Sequence, residues 1–165
     1  MKKNFEEGIK ILSELIDDPE KPVGSFLKPL IYSSRSYGLM SLNKFQQAKE
    51  DLDKLEAEFS LDIPNLYNKF ICEGILACNS QKYEQALSFF SKANKIMPSR
   101  IEPFYYKAVT LICFVSKLIP KDLKAKQEEY LQSALKTINK CEKEIENNPS
   151  LFLVRGFIYY ALGDA

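Results

Sequence analysis

Residues 67–100 read YNKFICEGILACNSQKYEQALSFFSKANKIMPSR, and this stretch decides the architecture. Phe70, Gly74, Tyr83, Ala86, Phe90, Ala93 and Pro98 stand at offsets that make two short helices fold against each other. Small Gly74 and Ala86 let the helix backbones approach closely. Aromatic Phe70, Tyr83 and Phe90 fill the space on either side, and Pro98 cannot continue the second helix. A unit of 34 residues cannot bury its own apolar face, so it needs stacked neighbours.

The neighbours are in the chain. Tyr32, Ser36, Leu39, Leu42, Phe45, Ala48 and Leu52 repeat the same offsets 38 residues earlier. A third copy starts at Ile101, with Phe104, Ala108 and Leu111 on its first helix. Phe152, Gly156, Tyr159, Leu162 and Gly163-Asp164 match another first helix followed by its turn, while Phe5, Gly8, Leu12, Leu15 and Pro19 read as a second helix without its first. Repeat starts at Pro29, Tyr67, Ile101 and Pro149 give steps of 38, 34 and 48 residues. The organisation expected is a half repeat over 4–19, repeats over 29–62 and 67–100, a degenerate repeat over 101–148 and a half repeat over 149–165.

This pattern of an aromatic, a small residue, a Tyr-x-x-Ala step (Tyr83-Glu84-Gln85-Ala86), an aromatic, an alanine and a closing proline resembles the tetratricopeptide repeat family. The resemblance implies an all-α, right-handed α-solenoid of helix-turn-helix repeats in a single domain. Glu73 and Ala77 depart from the family's usual leucine and tyrosine. The third copy departs most. Val115 to Asp122 breaks the helix at Pro120, and Leu131, Ala134, Ile138, Cys141 and Ile145 then form an amphipathic stripe. A lengthened second helix from Lys121 to Asn147, ~40 Å at ~1.5 Å per residue, is expected there. The 115–147 segment reads either as a protruding docking element or as an insertion without a partner.

Composition excludes several classes. With 45% hydrophobic and 27% charged residues, the 165-residue chain is neither disordered nor membrane-embedded. The longest apolar stretch, near Ala108 to Val115, is far short of a bilayer span, and no secretory signal is visible, so a cytoplasmic location is expected. Twenty-three basic against 22 acidic residues create no field to attract nucleic acid, and no membrane contact is expected. The densest basic patch, Lys117, Lys121, Lys124 and Lys126, reads as a solvated face or as a contact for an acidic partner.

Catalysis has little support. The chain has no histidine, the commonest general base and metal ligand. Cys72, Cys78, Cys113 and Cys141 contain no C-x-x-C pair and read as buried or groove-facing thiols. Acidic pairs such as Glu128-Glu129, or Asp51 and Asp53, are expected on exposed helix faces. No glycine-rich phosphate loop occurs, and no enzyme activity, cofactor or metal is expected.

The resemblance places function on a concave surface lined by the first helix of each pair. Its groove-facing offsets fall on Tyr37 in the first full copy, on Asn68, Ile71, Cys72, Ile75 and Asn79 in the second, on Tyr105, Tyr106 and Val109 in the third, and on Phe157 in the last. Chaperone-binding members of the family clamp a partner's C-terminal carboxylate with lysine, asparagine and arginine. The corresponding positions here are Ser33, Tyr37, Cys72, Glu102 and Tyr106, so no such clamp is expected. A non-enzymatic protein–protein interaction module, scaffolding a multiprotein assembly, is the expectation. Its groove would take an amphipathic helix or an extended apolar segment, with Tyr105 and Tyr106 as anchors and Asn68 and Asn79 bonding the ligand backbone. The sequence also reads as part of a longer repeat protein. Two alternatives remain open: self-association into a homo-oligomer through the end repeats, and helical-repeat RNA binding.

Overall fold

The computed structural model describes residues 2–18, 23–118, 124–141, 143 and 147–163, and every regular element in them is helical. The helices are α1 (Lys2–Asp17), α2 (Lys28–Ser41), α3 (Phe45–Glu58), α4 (Ile63–Asn79), α5 (Tyr83–Ile96), α6 (Glu102–Leu118), α7 (Lys124–Ile138) and α8 (Pro149–Leu162), with a 3₁₀ turn at Asn139–Cys141 after α7. No helix among the described residues is long and apolar enough to cross a membrane. The chain divides into two compact units, Met1–Leu76 and Ala77–Ala165.

The turn between α2 and α3 has the same geometry as the turn between α4 and α5. In the first, Asn43 N donates to the Met40 carbonyl and Lys44 N to the Leu39 carbonyl, both at 2.9 Å. In the second, Gln81 N donates to the Cys78 carbonyl and Lys82 N to the Ala77 carbonyl, again at 2.9 Å. Asn43 and Gln81 both take left-handed backbone, with φ 59° and 60°. Gly163, after α8, repeats the geometry: its φ is 83°, and its N–H reaches back to the Tyr160 carbonyl at 3.2 Å. The repeated spacing in the sequence is therefore repeated backbone geometry. Left-handed backbone costs an L-residue roughly 1 kcal/mol or more, less for asparagine, which tolerates it, and nothing for glycine. Gln81→Gly is expected to stabilise the fold by about 0.5–1 kcal/mol in urea unfolding, and Asn43→Gly by less. Destabilisation by Gln81→Gly would mean that the glutamine side chain holds the turn.

In the first unit, α2 packs between α1 and α3. Leu39, Ala48, Leu52 and Cys72 form its buried cluster, with Ile9, Met40 and Phe45 against it. The approach of α1 to α2 is close at Gly38, where a Cβ would come within 3.1 Å of Ile9 Cγ1. Ser36 and Ala48, which the repeat pattern marks as small packing positions, are fully buried.

In the second unit, α6 packs on α5, α7 and α8, and α7 also packs on α8. Tyr83, Ala86, Phe90 and Ala93 of α5 are all buried, as their spacing predicts. The core there runs through Ala108, Leu111, Val115, Leu131, Ala134, Ile138, Cys141, Leu151 and Ile158. An aromatic chain joins three helices. Tyr83 meets Phe114 at 5.7 Å between ring centroids, and Phe114 meets Tyr130 edge-on at 4.9 Å.

Two expectations are corrected. The second helix of the degenerate repeat is not one continuous element from Lys121 to Asn147. Among the described residues, α7 has 15 residues, close to the 14 of α3 and α5, and gives way to a 3₁₀ turn before helical Lys143. Leu131, Ala134, Ile138 and Cys141 of the predicted stripe are buried; Ile145, like Lys121, Pro120, Pro19 and Asp164, lies outside the described residues. Asp51, expected on an exposed face, is buried and bonded to Arg35, because it lies on the same face of α3 as Ala48, Leu52 and Leu55.

Candidate functional site

The second unit brings Tyr105 and Tyr106 to one spot. Residue i faces i+3 and i+4 along a helix, so consecutive tyrosines diverge, and here they do different things. Tyr106 stacks on Phe90 of α5, with ring centroids 5.2 Å apart and an interplanar angle of 17°. Tyr105 meets Tyr106 edge-on at 5.4 Å and packs in part against the core cluster. Both half-buried rings line a pocket of about 210 Å³. Its other walls are Ile101 and Glu102 at the start of α6, and Asn148, Ser150 and Leu151 at the start of α8.

Local chemistry fixes those walls. The Asn148 side chain caps α8 by accepting from the Ser150 and Leu151 N–H groups at 3.1 and 3.4 Å, and Pro149 occupies the first turn. Glu102 is paired with Arg100 at 2.5 Å, so the one carboxylate on the rim is compensated. The pocket therefore offers aromatic and aliphatic surface with a few polar atoms, a composition suited to an apolar side chain.

The surface continues along α8. Only Leu151 and Ile158 of this helix are buried, whereas Leu153, Phe157 and Tyr160 are 69%, 52% and 76% exposed. At 3.6 residues per turn, Ser150, Leu153, Phe157 and Tyr160 share one face of α8. Ser150 lines the pocket, so the exposed apolar stripe starts at the pocket and runs the length of the helix. Phe152, 59% exposed, lies on a different face. Exposed apolar side chains gathered on one face mark an interaction surface more strongly than scattered ones.

The remaining expected groove residues divide clearly. In the second unit, Val109 is half-buried on α6 one turn beyond Tyr105 and Tyr106, and Asn79 is exposed at the end of α4. In the first unit, Tyr37 is 60% exposed and meets Phe5 of α1 edge-on at 6.3 Å, while Asn68 is half-buried. Ile71, Cys72 and Ile75 are 3%, 0% and 9% exposed. They belong to the packed interior and are corrected from groove to core. Burial, then the neighbouring Glu73 carboxylate, pushes the Cys72 thiol up to about 12, which leaves it protonated and unreactive at neutral pH.

Two polar arrangements in the first unit were not anticipated. Arg35 of α2 makes a two-pronged bond to Asp51 of α3, from Nε to Oδ2 at 2.8 Å and from Nη2 to Oδ1 at 2.6 Å, and its Nη1 donates to Ser13 Oγ of α1 at 3.1 Å. The guanidinium thus joins three helices, beside a pocket of about 350 Å³ also lined by Lys44, Glu50 and Lys54. Lys69 of α4 pairs with Asp53 at 2.6 Å and Glu56 at 2.5 Å on α3, and Asp53 also pairs with Lys49. Burial opposes ionisation of Asp53, but the bonds from Lys49 and Lys69 win and hold its carboxyl below its ordinary range. Burial likewise opposes the charge on Lys69, and the two carboxylates overcome it. Opposite charges 13 or 16 residues apart, on different helices, carry no sequence signal of pairing. The core-facing period of Asp51 was the only clue. Comparison of the chain with protein-family models, with curated proteins and with solved structures returned no match in any of the three.

Proposed function

We propose that the chain is a tetratricopeptide-like, right-handed α-solenoid that works as a non-enzymatic protein–protein interaction module and scaffolds a multiprotein assembly. In this reading it takes an amphipathic helix of a partner protein. The observation that carries this is the apolar stripe of Leu153, Phe157 and Tyr160, running from the pocket floored by Tyr105 and Tyr106. Its i, i+4, i+7 spacing suits a helix laid along a helix, with one large apolar side chain of the ligand in the pocket. Tyr105 and Tyr106 are the anchors because their rings are held by neighbours and lose little freedom on binding. Ser33, Tyr37, Cys72, Glu102 and Tyr106 offer no cationic clamp, so a terminal carboxylate is not the recognised group. A cytoplasmic location accompanies this reading.

The test is a display selection of amphipathic helical peptides on the wild-type chain, followed by affinity measurement on Phe157→Glu. The substitution puts a carboxylate into the stripe, where docking would bury it without a partner. Tenfold or greater weakening is expected, equivalent to about 1.4 kcal/mol or more. The thermal melt should hardly move, because Phe157 is half exposed in the free chain. Unchanged affinity in a folded variant refutes the groove.

The same exposed face of α8 favours a second reading, in which another copy of the chain covers it and the module self-associates. Light scattering across a concentration series separates the two. Concentration-dependent mass that Phe157→Glu abolishes supports self-association, and a monomer throughout supports the peptide groove.

A further inference from the structure

Cys78 and Cys113, which neither the packing pattern nor the docking surface uses, come together in the second unit. Cys78 is the penultimate residue of α4 and Cys113 lies on α6. Cys78 lies against Thr110, which stands one turn before Cys113 on the same face of α6, and it acts electrostatically on the Cys113 thiol. Thr110 Oγ1, whose hydrogen goes to the Tyr106 carbonyl at 2.7 Å, stands 3.7 Å from Cys78 Sγ. Both cysteines are partly exposed, and Asn79 and Ser80 beside Cys78 are exposed. Cys72 and Cys141, at 0% and 2% exposure, are shut away in the core.

We propose that Cys78 and Cys113 are a redox modification site, closing to a reversible disulfide when the chain meets a low-molecular-weight disulfide. The Cys78 thiolate attacks one sulfur of the oxidant. A mixed disulfide forms at Cys78 and one small thiolate leaves. Cys113 then gives up its proton, and its sulfur attacks Cys78 Sγ and expels the second small thiolate. The sum is two protein thiols plus one small disulfide giving one protein disulfide plus two small thiols. Burial, and then Cys78, hold the Cys113 thiol above its ordinary range, so it serves as the resolving partner rather than the first nucleophile. The new bond ties the last turn of α4 to α6 and closes a loop around the whole of α5. A cross-link over that length restricts the unfolded chain and raises stability.

The test incubates the full chain with oxidised glutathione, then counts thiols after unfolding and identifies linked peptides by mass spectrometry. The four thiols should fall to two, with Cys78 joined to Cys113 and with Cys72 and Cys141 unmodified. The melting midpoint should rise by roughly 5 °C, reversed by a small thiol reductant. Cys113→Ser, or Cys113→Ala should the serine disturb packing, should instead keep a stable glutathione adduct on Cys78 and show no rise. Four thiols persisting in the wild type, a lasting adduct on wild-type Cys78, or a bond from Cys78 to another copy would each overturn the proposal.

Discussion

Asp51→Ala is expected to cost about 3–5 kcal/mol of folding stability, a large fraction of the roughly 5–15 kcal/mol that a domain possesses. Asp51 is 3% exposed and Arg35 is 9% exposed. Removing the carboxylate strands the guanidinium between α1, α2 and α3 with both of its best bonds gone, at 2.6 and 2.8 Å. The neutral Ser13 hydroxyl cannot replace a carboxylate. The adjoining pocket lets some water reach the charge, which favours the lower part of that range. The double variant Arg35→Met with Asp51→Leu removes the stranded charge and should recover most of the loss, because apolar replacements of a buried ion pair are often neutral or better. Urea unfolding of the two single variants and the double variant supplies the cycle. A loss under about 1 kcal/mol for Asp51→Ala would mean that the pair is solvated and does not hold the three helices together.

That ion pair shows where the sequence stops being legible. Ala48, Leu52 and Leu55 are visible as the inward face of α3, and by the same period Asp51 must point inward too. Charge is normally a reason to place a residue outside, and here it misled. What rescues Asp51 is Arg35, on the preceding helix at the position where the next copy has Glu73, and no local pattern pairs the two. The aromatic and small residues of the repeat were legible for the opposite reason. Tyr83, Ala86, Phe90 and Ala93 recur at helical spacing, and their burial follows from that spacing alone. The turn at Gly163 was legible as well, and Asn43 and Gln81, at the same register position of the earlier copies, share its left-handed backbone.

The candidate site was legible only in part. Offsets carried over from a repeat pattern say which way a side chain points relative to its own helix, and not how closely the next helix covers it. Tyr105 and Tyr106 stay partly open, whereas Ile71, Cys72 and Ile75 are covered. The pocket walls at Asn148, Ser150 and Leu151 have no mark in the repeat pattern, which shows Pro149 as a repeat start and says nothing of the Asn148 cap that positions α8. The Cys78–Cys113 pair joins residues far apart in sequence, and spacing within one helix says nothing about it.

Phe90→Ala is the second large effect, with an expected loss of about 3–5 kcal/mol. Phe90 is 1% exposed, so its removal leaves a cavity that neighbouring helices cannot fully close. Part of the loss belongs to Tyr106, whose ring lies 5.2 Å away and nearly parallel. A cycle with Tyr106→Leu should assign about 0.5–1.5 kcal/mol to that stack. Phe90→Leu keeps most of the volume and should cost about 1.5 kcal/mol or less, with the stack gone. This conservative variant separates fold from site. If Phe90 is the floor that holds Tyr106 in place, Phe90→Leu weakens helical-peptide binding more than its small stability loss can explain, because Tyr106 must then be ordered during docking. Denaturation and peptide titration on the same samples give both quantities. Unchanged affinity in Phe90→Leu would show that Tyr106 is positioned by Tyr105 and α6 alone, and would leave Phe90 a purely structural role.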